Sequence, residues 1–153
     1  MINANHFGVY HKKRGLGSTA TVTTYNNLTV LSNTSLRSDT ISSPTISNRF
    51  YIMANNSVGN YFSFDMGSSK QLKSWSCNNP NQGSGQNWGG GVVQCSNDNV
   101  TWTDVDSFAL SEGAGQLNHT VSNTTTGRYW RFYQTAACTT GTWHINSLVL
   151  KMQ

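Results

Sequence analysis

Gly91-Val-Val-Gln-Cys-Ser-Asn-Asp-Asn-Val-Thr-Trp-Thr-Asp-Val105 is the stretch on which the fold turns. Val93 and Cys95 alternate with polar neighbours, the period of a strand with one buried face. Ser96-Asn97-Asp98-Asn99 follows as a turn, because Asn and Asp bond to their own backbone and tolerate left-handed φ. A second short run through Val100, Trp102 and Asp104 completes a predicted β-hairpin. Upstream, Tyr61-Phe-Ser-Phe-Asp-Met-Gly67 reads as another strand, ending in glycine. A turn is expected at Ser68-Ser69, before the run Leu72–Cys77, in which Leu72 and Trp75 do not share strict period-two spacing. Downstream, Gly127-Arg-Tyr-Trp-Arg-Phe-Tyr133 is a third, aromatic strand.

The rest of the chain has the composition to match. Asn (18), Ser (19), Thr (18) and Gly (14) make up 69 of 153 residues, and only 10% are charged. That is poor material for surface helices, which favour Ala, Leu, Glu and Lys. It suits strands and turns, with 5 Trp, 6 Tyr and 6 Phe as packing mass. Shorter β runs are read at Ala20–Tyr25, Leu28–Leu31, Phe50–Met53, Leu117–Val121 and Trp143–Leu150. Gly8–Gly17 reads as an arm or loop, and Ser35–Arg49 as irregular. Loops follow over residues 78–91, Ser111–Gln116 and Thr135–Gly141. No helix longer than a turn, internal repeat or domain linker is predicted. The fold class is therefore all-β, an antiparallel jelly-roll β-sandwich built from short strands. Residues 1–34 are read as an N-terminal arm or extra strands for assembly docking, and 35–153 as the sandwich.

Charge is unevenly placed. Before Asp39 stand Lys12, Lys13, Arg14 and Arg37 with no acidic residue; from Asp39 onward six basic residues balance six acidic ones. The basic excess thus belongs to the N-terminal segment. Three adjacent charges are too few for specific nucleic-acid binding. Cys77, Cys95 and Cys138 include no C-x-x-C spacing, which gives no support to a zinc or redox motif, and each lies among small or apolar residues as a small hydrophobe would. Asn-x-Ser/Thr triplets are frequent, but so are Ser and Thr, and glycosylation is not inferred. The first residues contain no apolar core of a signal peptide, and no run is long enough to span a membrane.

Taken together and in order, these segments resemble the discoidin, or coagulation-factor type C, domain, and within it the galactose-binding-like carbohydrate-binding modules. Tyr61–Gly67 resembles that family's aromatic Asp-Leu-Gly strand. Val93–Val105 resembles its V-x-Y-S-x-D-G-x-x-W hairpin, with Asn99 in place of the turn glycine. Gly127–Phe132 and Trp143–Leu150 resemble its A-R-Y strand and closing strand, although Asn146 or Ser147 stands where Glu is common, and the terminal cysteine pair of the animal domains is absent. The resemblance covers about residues 35–153 and implies an eight-stranded jelly roll whose end loops bind sugars, lipid headgroups or proteins, without catalysis. It places Trp102 in the core and Tyr129 and Phe132 inward, with Arg128 and Arg131 fixing the sheet by ion pairs or stacking.

Candidate ligand contacts follow from this frame. Trp88, beside Asn87 in the Gly/Asn/Gln-rich loop, offers an indole face to the C–H face of a sugar while amides take its hydroxyls. The competing reading packs Trp88 back onto the sandwich or against a neighbouring subunit. Trp143 and His144 adjoin the Thr135–Gly141 loop, and His119, Arg49 and Tyr51 are candidates for the same end. A structural calcium, a family accessory, would fall to Asp39, the one acid of the Ser35–Ser47 region, with no carboxylate cluster to support it. No cofactor is otherwise expected. Enzyme motifs are missing: one Glu (Glu112), no G-x-S-x-G, no H-E-x-x-H and no phosphate loop. Asp104 and Asp106 are expected to be solvated.

The expected function is a non-enzymatic virion surface protein of a bacteriophage (tail, baseplate or capsid decoration) that binds a host-surface glycan. Its other partners would be virion subunits in an oligomeric assembly, with no membrane span. The charge-poor Asn/Ser/Thr/Gly composition, the basic N-terminal segment and the absent signal sequence motivate that expectation. The alternatives are a purely structural assembly subunit and a cellular carbohydrate-binding module.

Overall fold

A computed structural model describes residues 21–26, 28–32, 35–37, 50–53, 58–79, 90–109, 115–137 and 142–153. Within them lie ten strands: β1 (Thr23–Tyr25), β2 (Leu31–Ser32), β3 (Ser35–Arg37), β4 (Phe50–Met53), β5 (Tyr61–Asn79), β6 (Gly90–Ser96), β7 (Thr103–Phe108), β8 (Gly115–Thr120), β9 (Thr126–Ala136) and β10 (Thr142–Met152). All pairings among them are antiparallel. One layer runs β8–β5–β10–β1 and the other β2–β5–β9–β6–β7, with β4 on the first half of β10 and β3 on β4. This is the all-β jelly-roll sandwich that the sequence predicts, with ten described strands rather than eight. Residues 23–25 pair with β10 and 31–32 with β5, so both short runs are sheet strands.

β5 belongs to both layers because it is long and bends. Tyr61–Asp65 pairs with β9, and Ser74–Asn79 pairs with β8 and, in part, with β10. Between them the register with β9 shifts from Asp65 to Lys70. Gly67 sits in that bulge at φ 72°, a left-handed conformation that glycine adopts without a Cβ clash, and its N–H donates to Asp65 Oδ1 at 2.8 Å. The turn expected at Ser68-Ser69 is therefore a bulge within one continuous strand. A second register shift, between Lys151 and Met152 on β10, lets Leu72 and Trp75 both face the interior despite their three-residue spacing.

The core fills the space between the layers. Phe62, Phe64, Trp130, Phe132 and Val93 come from one, and Leu72, Trp75, Leu148, Leu150 and Met152 from the other. Trp75 meets Phe132 and Phe108 edge-on at 5.1 and 5.3 Å between centroids, while Phe62 stacks on Phe132 at 5.0 Å. Each buried aromatic contributes about 1.5–3 kcal/mol of transfer free energy. Gly91 makes the β6–β7 contact feasible: a Cβ there would lie 2.5 Å from Phe108 Cζ and 2.7 Å from the Tyr133 carbonyl. The buried Trp130 indole donates to the Gly127 carbonyl at 2.8 Å, which satisfies its one polar atom.

The hairpin that decided the fold class is present but wider than predicted. Its second strand begins at Thr103, and Val100 is 79% exposed. Asp98 explains the difference: its Oδ1 accepts the Val100 and Thr101 N–H groups at 2.8 and 2.7 Å. Ser96 Oγ in turn accepts the Asp98 and Asn99 N–H groups and donates to Asp98. These bonds draw Val100 and Thr101 into the turn, and Asn99 takes the left-handed φ (60°) expected of it. Trp102, expected in the core, is half-buried on the outer side beneath Arg131, whose Cζ lies 4.1 Å from its ring. Phe132 is buried as expected, whereas Tyr129 is only half-buried.

Candidate functional site

Three connections pass between the layers at one end of the sandwich. Asn79 pairs with Gly115 and Asn78 with Asn146 in one layer; Gly90 pairs with Ala136 and Gly91 with Phe108 in the other. The links from 79 to 90, from 108 to 115 and from 136 to 142 therefore all start and finish there. The segment before β5 arrives at the same end, since Tyr61 is paired with Tyr133.

Its described floor is a polar clamp. Gln134 is fully buried, donates from Nε2 to the Ala136 carbonyl at 2.9 Å and lies 3.5 Å from Asn60 Nδ2. Its backbone N–H donates to the Asn60 carbonyl at 2.8 Å, and its carbonyl accepts the Gly59 N–H at 3.0 Å. A buried amide needs such partners, because an unpaired one costs about 1–3 kcal/mol. The clamp ties the entry of β5 to the last residues of β9 and so fixes the base from which two of the end segments leave.

A second polar device joins the layers along their edge. Asp106 on β7 accepts the Trp75 indole N–H at 2.9 Å, and its Oδ2 lies 3.2 Å from His119 Nδ1 on β8. The His119 ring stacks on Trp75 at 4.3 Å. Asp106, expected in solvent, is thus a clasp between two edge strands that share no ladder. Sequence reasoning missed it because the β6–β7 register shift between Val93 and Gln94 turns Asp106 inward with Val105 and Phe108 near it.

Of the predicted ligand residues, Trp143, His144 and Tyr51 fall on strands whose backbones meet: His144 stands opposite Tyr51, and Trp143 opposite Ile52. His119 lies elsewhere, opposite Trp75, three residues along β8 from the Gln116–Asn78–Asn146 row. Its Nδ1 is committed to Asp106. Trp88, Asn87, Arg49 and Asp39 lie outside the described residues. Among the described residues no three His, Cys, Asp or Glu side chains group as a metal site, and no helix is long and apolar enough to cross a membrane.

Electrostatics elsewhere are structural. Arg128 forms a two-pronged pair with Asp65, Nε to Oδ1 and Nη2 to Oδ2, both at 2.8 Å. These bonds and the Gly67 N–H hold the Asp65 carboxyl below its ordinary range. The backbone N–H groups of Thr101 and Val100, with the Ser96 hydroxyl, hold Asp98 far lower still. Cys77 and Cys95 are free and buried; burial pushes the Cys77 thiol up to about 12 and raises that of Cys95. Both stay protonated near neutrality and are unsuited to nucleophilic chemistry.

Comparison with known proteins points in one direction. Residues 47–132, more than half of the chain, match the F5/F8 type C family described as a NedA-like, galactose-binding domain. Among solved structures, the family 32 carbohydrate-binding module of AlyQ in complex with 4,5-unsaturated mannuronic acid is 20% identical, with a TM-score of 0.59 over 84% of this chain and 97% of that one. The family 32 module of NanJ from C. perfringens, in complex with galactose, is 14% identical, with a TM-score of 0.56 over 80% and 93%. The two such modules of ZmpB from Clostridium perfringens reach 0.63 at 12% identity, over 82% of this chain and 34% of that one. No curated protein matches the sequence.

Proposed function

The chain belongs to the F5/F8 type C family of NedA-like, galactose-binding domains, and from that premise we propose that it is a non-catalytic module binding carbohydrate at the end where its three inter-layer connections converge. That convergence carries the reading. The described ends of the connections that contain Trp88, Asn87 and the residues before Trp143 all lie at that end, which supports a site where aromatic faces and amides meet one sugar. Structural relatives at low identity hold galactose and an unsaturated mannuronic acid, which nominates a pyranoside as the first ligand to try.

The test is titration of the full chain with galactose, followed by amide shifts. Shifts are expected at Gly90–Val92 and Gln134–Ala137, with Trp88→Ala abolishing them at an unchanged melting temperature. Retained binding in Trp88→Ala removes that residue from the site; a collapsed melting temperature makes it a packing residue. Absence of any shift with galactose or an uronic acid sinks the carbohydrate reading.

The finer proposal is a virion setting, in which the domain faces a host-surface glycan and the basic N-terminal segment docks to other subunits of a phage particle. Composition favours it: a charge-poor, Asn/Ser/Thr/Gly-rich body, with the basic excess confined before Asp39. Replacing Lys12, Lys13 and Arg14 by Ala should abolish co-sedimentation with particles while leaving sugar binding intact. Full co-sedimentation of that variant would favour a cellular module or a different docking surface.

A further inference from the structure

The outer face of the β8–β5–β10–β1 layer carries a second polar site that lies on the sheet, away from the loop-bearing end. Along β5, Trp75 and Cys77 face the core, so Ser74 and Ser76 face out. The register places Thr120, Ser74, Lys151 and Thr24 in one row across four strands, and Asn118, Ser76 and Val149 in a second row beside it. At about 4.8 Å per strand the first row is roughly 14 Å long. Ser74, Ser76, Asn118, Thr120, Val149 and Lys151 line a shallow depression of about 160 Å³.

Two features distinguish this surface from an ordinary solvated face. Ser74 and Ser76 are half-buried, yet no side-chain hydrogen bond is formed by Ser74, Ser76, Asn118, Thr120 or Lys151. The lining also offers an ammonium, three hydroxyls and an amide, and includes no carboxylate. Trp75 and His119 complete it, with indole Nε1 and imidazole Nδ1 committed to Asp106. Hydroxyls, an amide and one ammonium lining one hollow suit an oxyanion, because charge-assisted bonds to an ammonium are stronger than neutral ones.

We infer that this sheet face binds the anionic substituent, carboxylate or sulfate ester, of an acidic saccharide, through Lys151 with Ser74, Thr120 and Asn118. Only the nature of the ligand is taken from the proposed function; the loop-bearing end is not involved. A negatively charged sugar would satisfy the ammonium and hydroxyls together, while a neutral one would leave Lys151 without a counter-charge.

The test is an amide-detected titration of the full chain with four probes: galactose, a galacturonic acid oligomer, a sulfated galactose oligomer and inorganic sulfate. The acidic oligomers are expected to shift Ser74–Ser76, Asn118–Thr120 and Lys151, with weaker binding as salt rises. Lys151→Gln is expected to weaken them about three- to tenfold, the range for a partly exposed charged contact. Ser74→Ala with Thr120→Ala should weaken them further at an unchanged melting temperature. Galactose shifts at the loop-bearing end should be untouched by these variants. Which acidic oligomer binds tighter distinguishes carboxylate from sulfate ester. Acidic probes that shift only the loop-bearing end, or that bind Lys151→Gln as tightly, overturn the inference. So does inorganic sulfate binding as tightly as the sulfated oligomer, since the saccharide would then add nothing. Loss of the galactose shifts alone would count against the proposed function and leave the sheet-face site standing.

Discussion

The two layers of the sandwich turn opposite kinds of surface outward. The β2–β5–β9–β6–β7 layer presents half-buried Tyr61, Tyr129, Tyr133 and Trp102, held together by cations. Arg131 lies 4.1 Å from the Trp102 ring, 4.8 Å from Tyr133 and 4.9 Å from Tyr61, and its Nε donates to Gln94 Oε1 at 2.6 Å. Gln94 then donates to Asp104 at 2.6 Å. Burial pulls the Arg131 pKa down from its usual value. The other layer presents Ser74, Ser76, Asn118, Thr120 and Lys151, with no side-chain bonds among them. Among the described residues, the first face engages Arg131, Gln94 and Asp104 with one another and with its rings, whereas Ser74, Ser76, Asn118, Thr120 and Lys151 form no such bonds. Between the two outer faces, anion-binding chemistry is to be sought where the donors are unused, and stability chemistry where they are engaged.

The sharpest way to break that contrast is to remove one cation from each face. Arg131→Ala should cost about 2 kcal/mol, because it withdraws a desolvated cation and its aliphatic stem from three rings. Lys151→Ala should stay within about 0.5 kcal/mol, as for an ordinary surface position. Chemical denaturation of both measures it; equal costs would show that Arg131 does not organise its face. Next in size is the clasp between the layers. Asp106→Ala leaves the Trp75 indole N–H without an acceptor and frees His119, an expected loss of about 1–3 kcal/mol. His119→Ala should cost less than Asp106→Ala, since Trp75 keeps its acceptor. The reverse order would mean that ring stacking, not the shared carboxylate, joins β7 to β8.

The smallest effect concerns acid. Asp65 and Asp98 both have folded pKa values below their unfolded ones. Such groups add stability that is present above the unfolded value, about 3.9, and lost as pH falls through the lower folded value. Stability should accordingly decline from about pH 4 downward, and Asp65→Asn should flatten that decline by no more than about 0.5 kcal/mol, since the pair is exposed and screened. Asp98→Asn should flatten it in the same window and also loosen the 97–102 turn. An acid limb unchanged in both variants would remove these carboxylates from the account.

Much of this molecule is legible in its residues. The strands through Phe62, Val93, Phe132 and Leu150 follow from alternation and aromatic content, and the hairpin turn from its Asn and Asp. The errors share one cause. At Asp65–Lys70, at Val93–Gln94 and at Lys151–Met152 the ladders shift register. A one-residue shift exchanges inside for outside in everything that follows. Trp102, expected in the core, lies half-buried beneath Arg131, and Asp106, expected in solvent, is partly buried against Trp75 and His119. The sheet-face row of Thr120, Ser74, Lys151 and Thr24 was equally illegible, because its members come from four strands spread from residue 24 to 151.

By itself, then, the sequence determined the fold class and the turn at Asp98, which depend on composition and local periodicity, while its resemblance to the discoidin domain, carried by ordered motifs, supplied the family and the expectation of a sugar-binding end. Only the tertiary structure decided which side chains meet: Arg131 with its three rings, Asp106 with Trp75 and His119, and five unused polar groups around one hollow. Periodicity is a property of neighbours in the chain, whereas these contacts depend on register between strands far apart in it. Bulges set that register, and a bulge is fixed by the packing of both partners rather than by either strand alone.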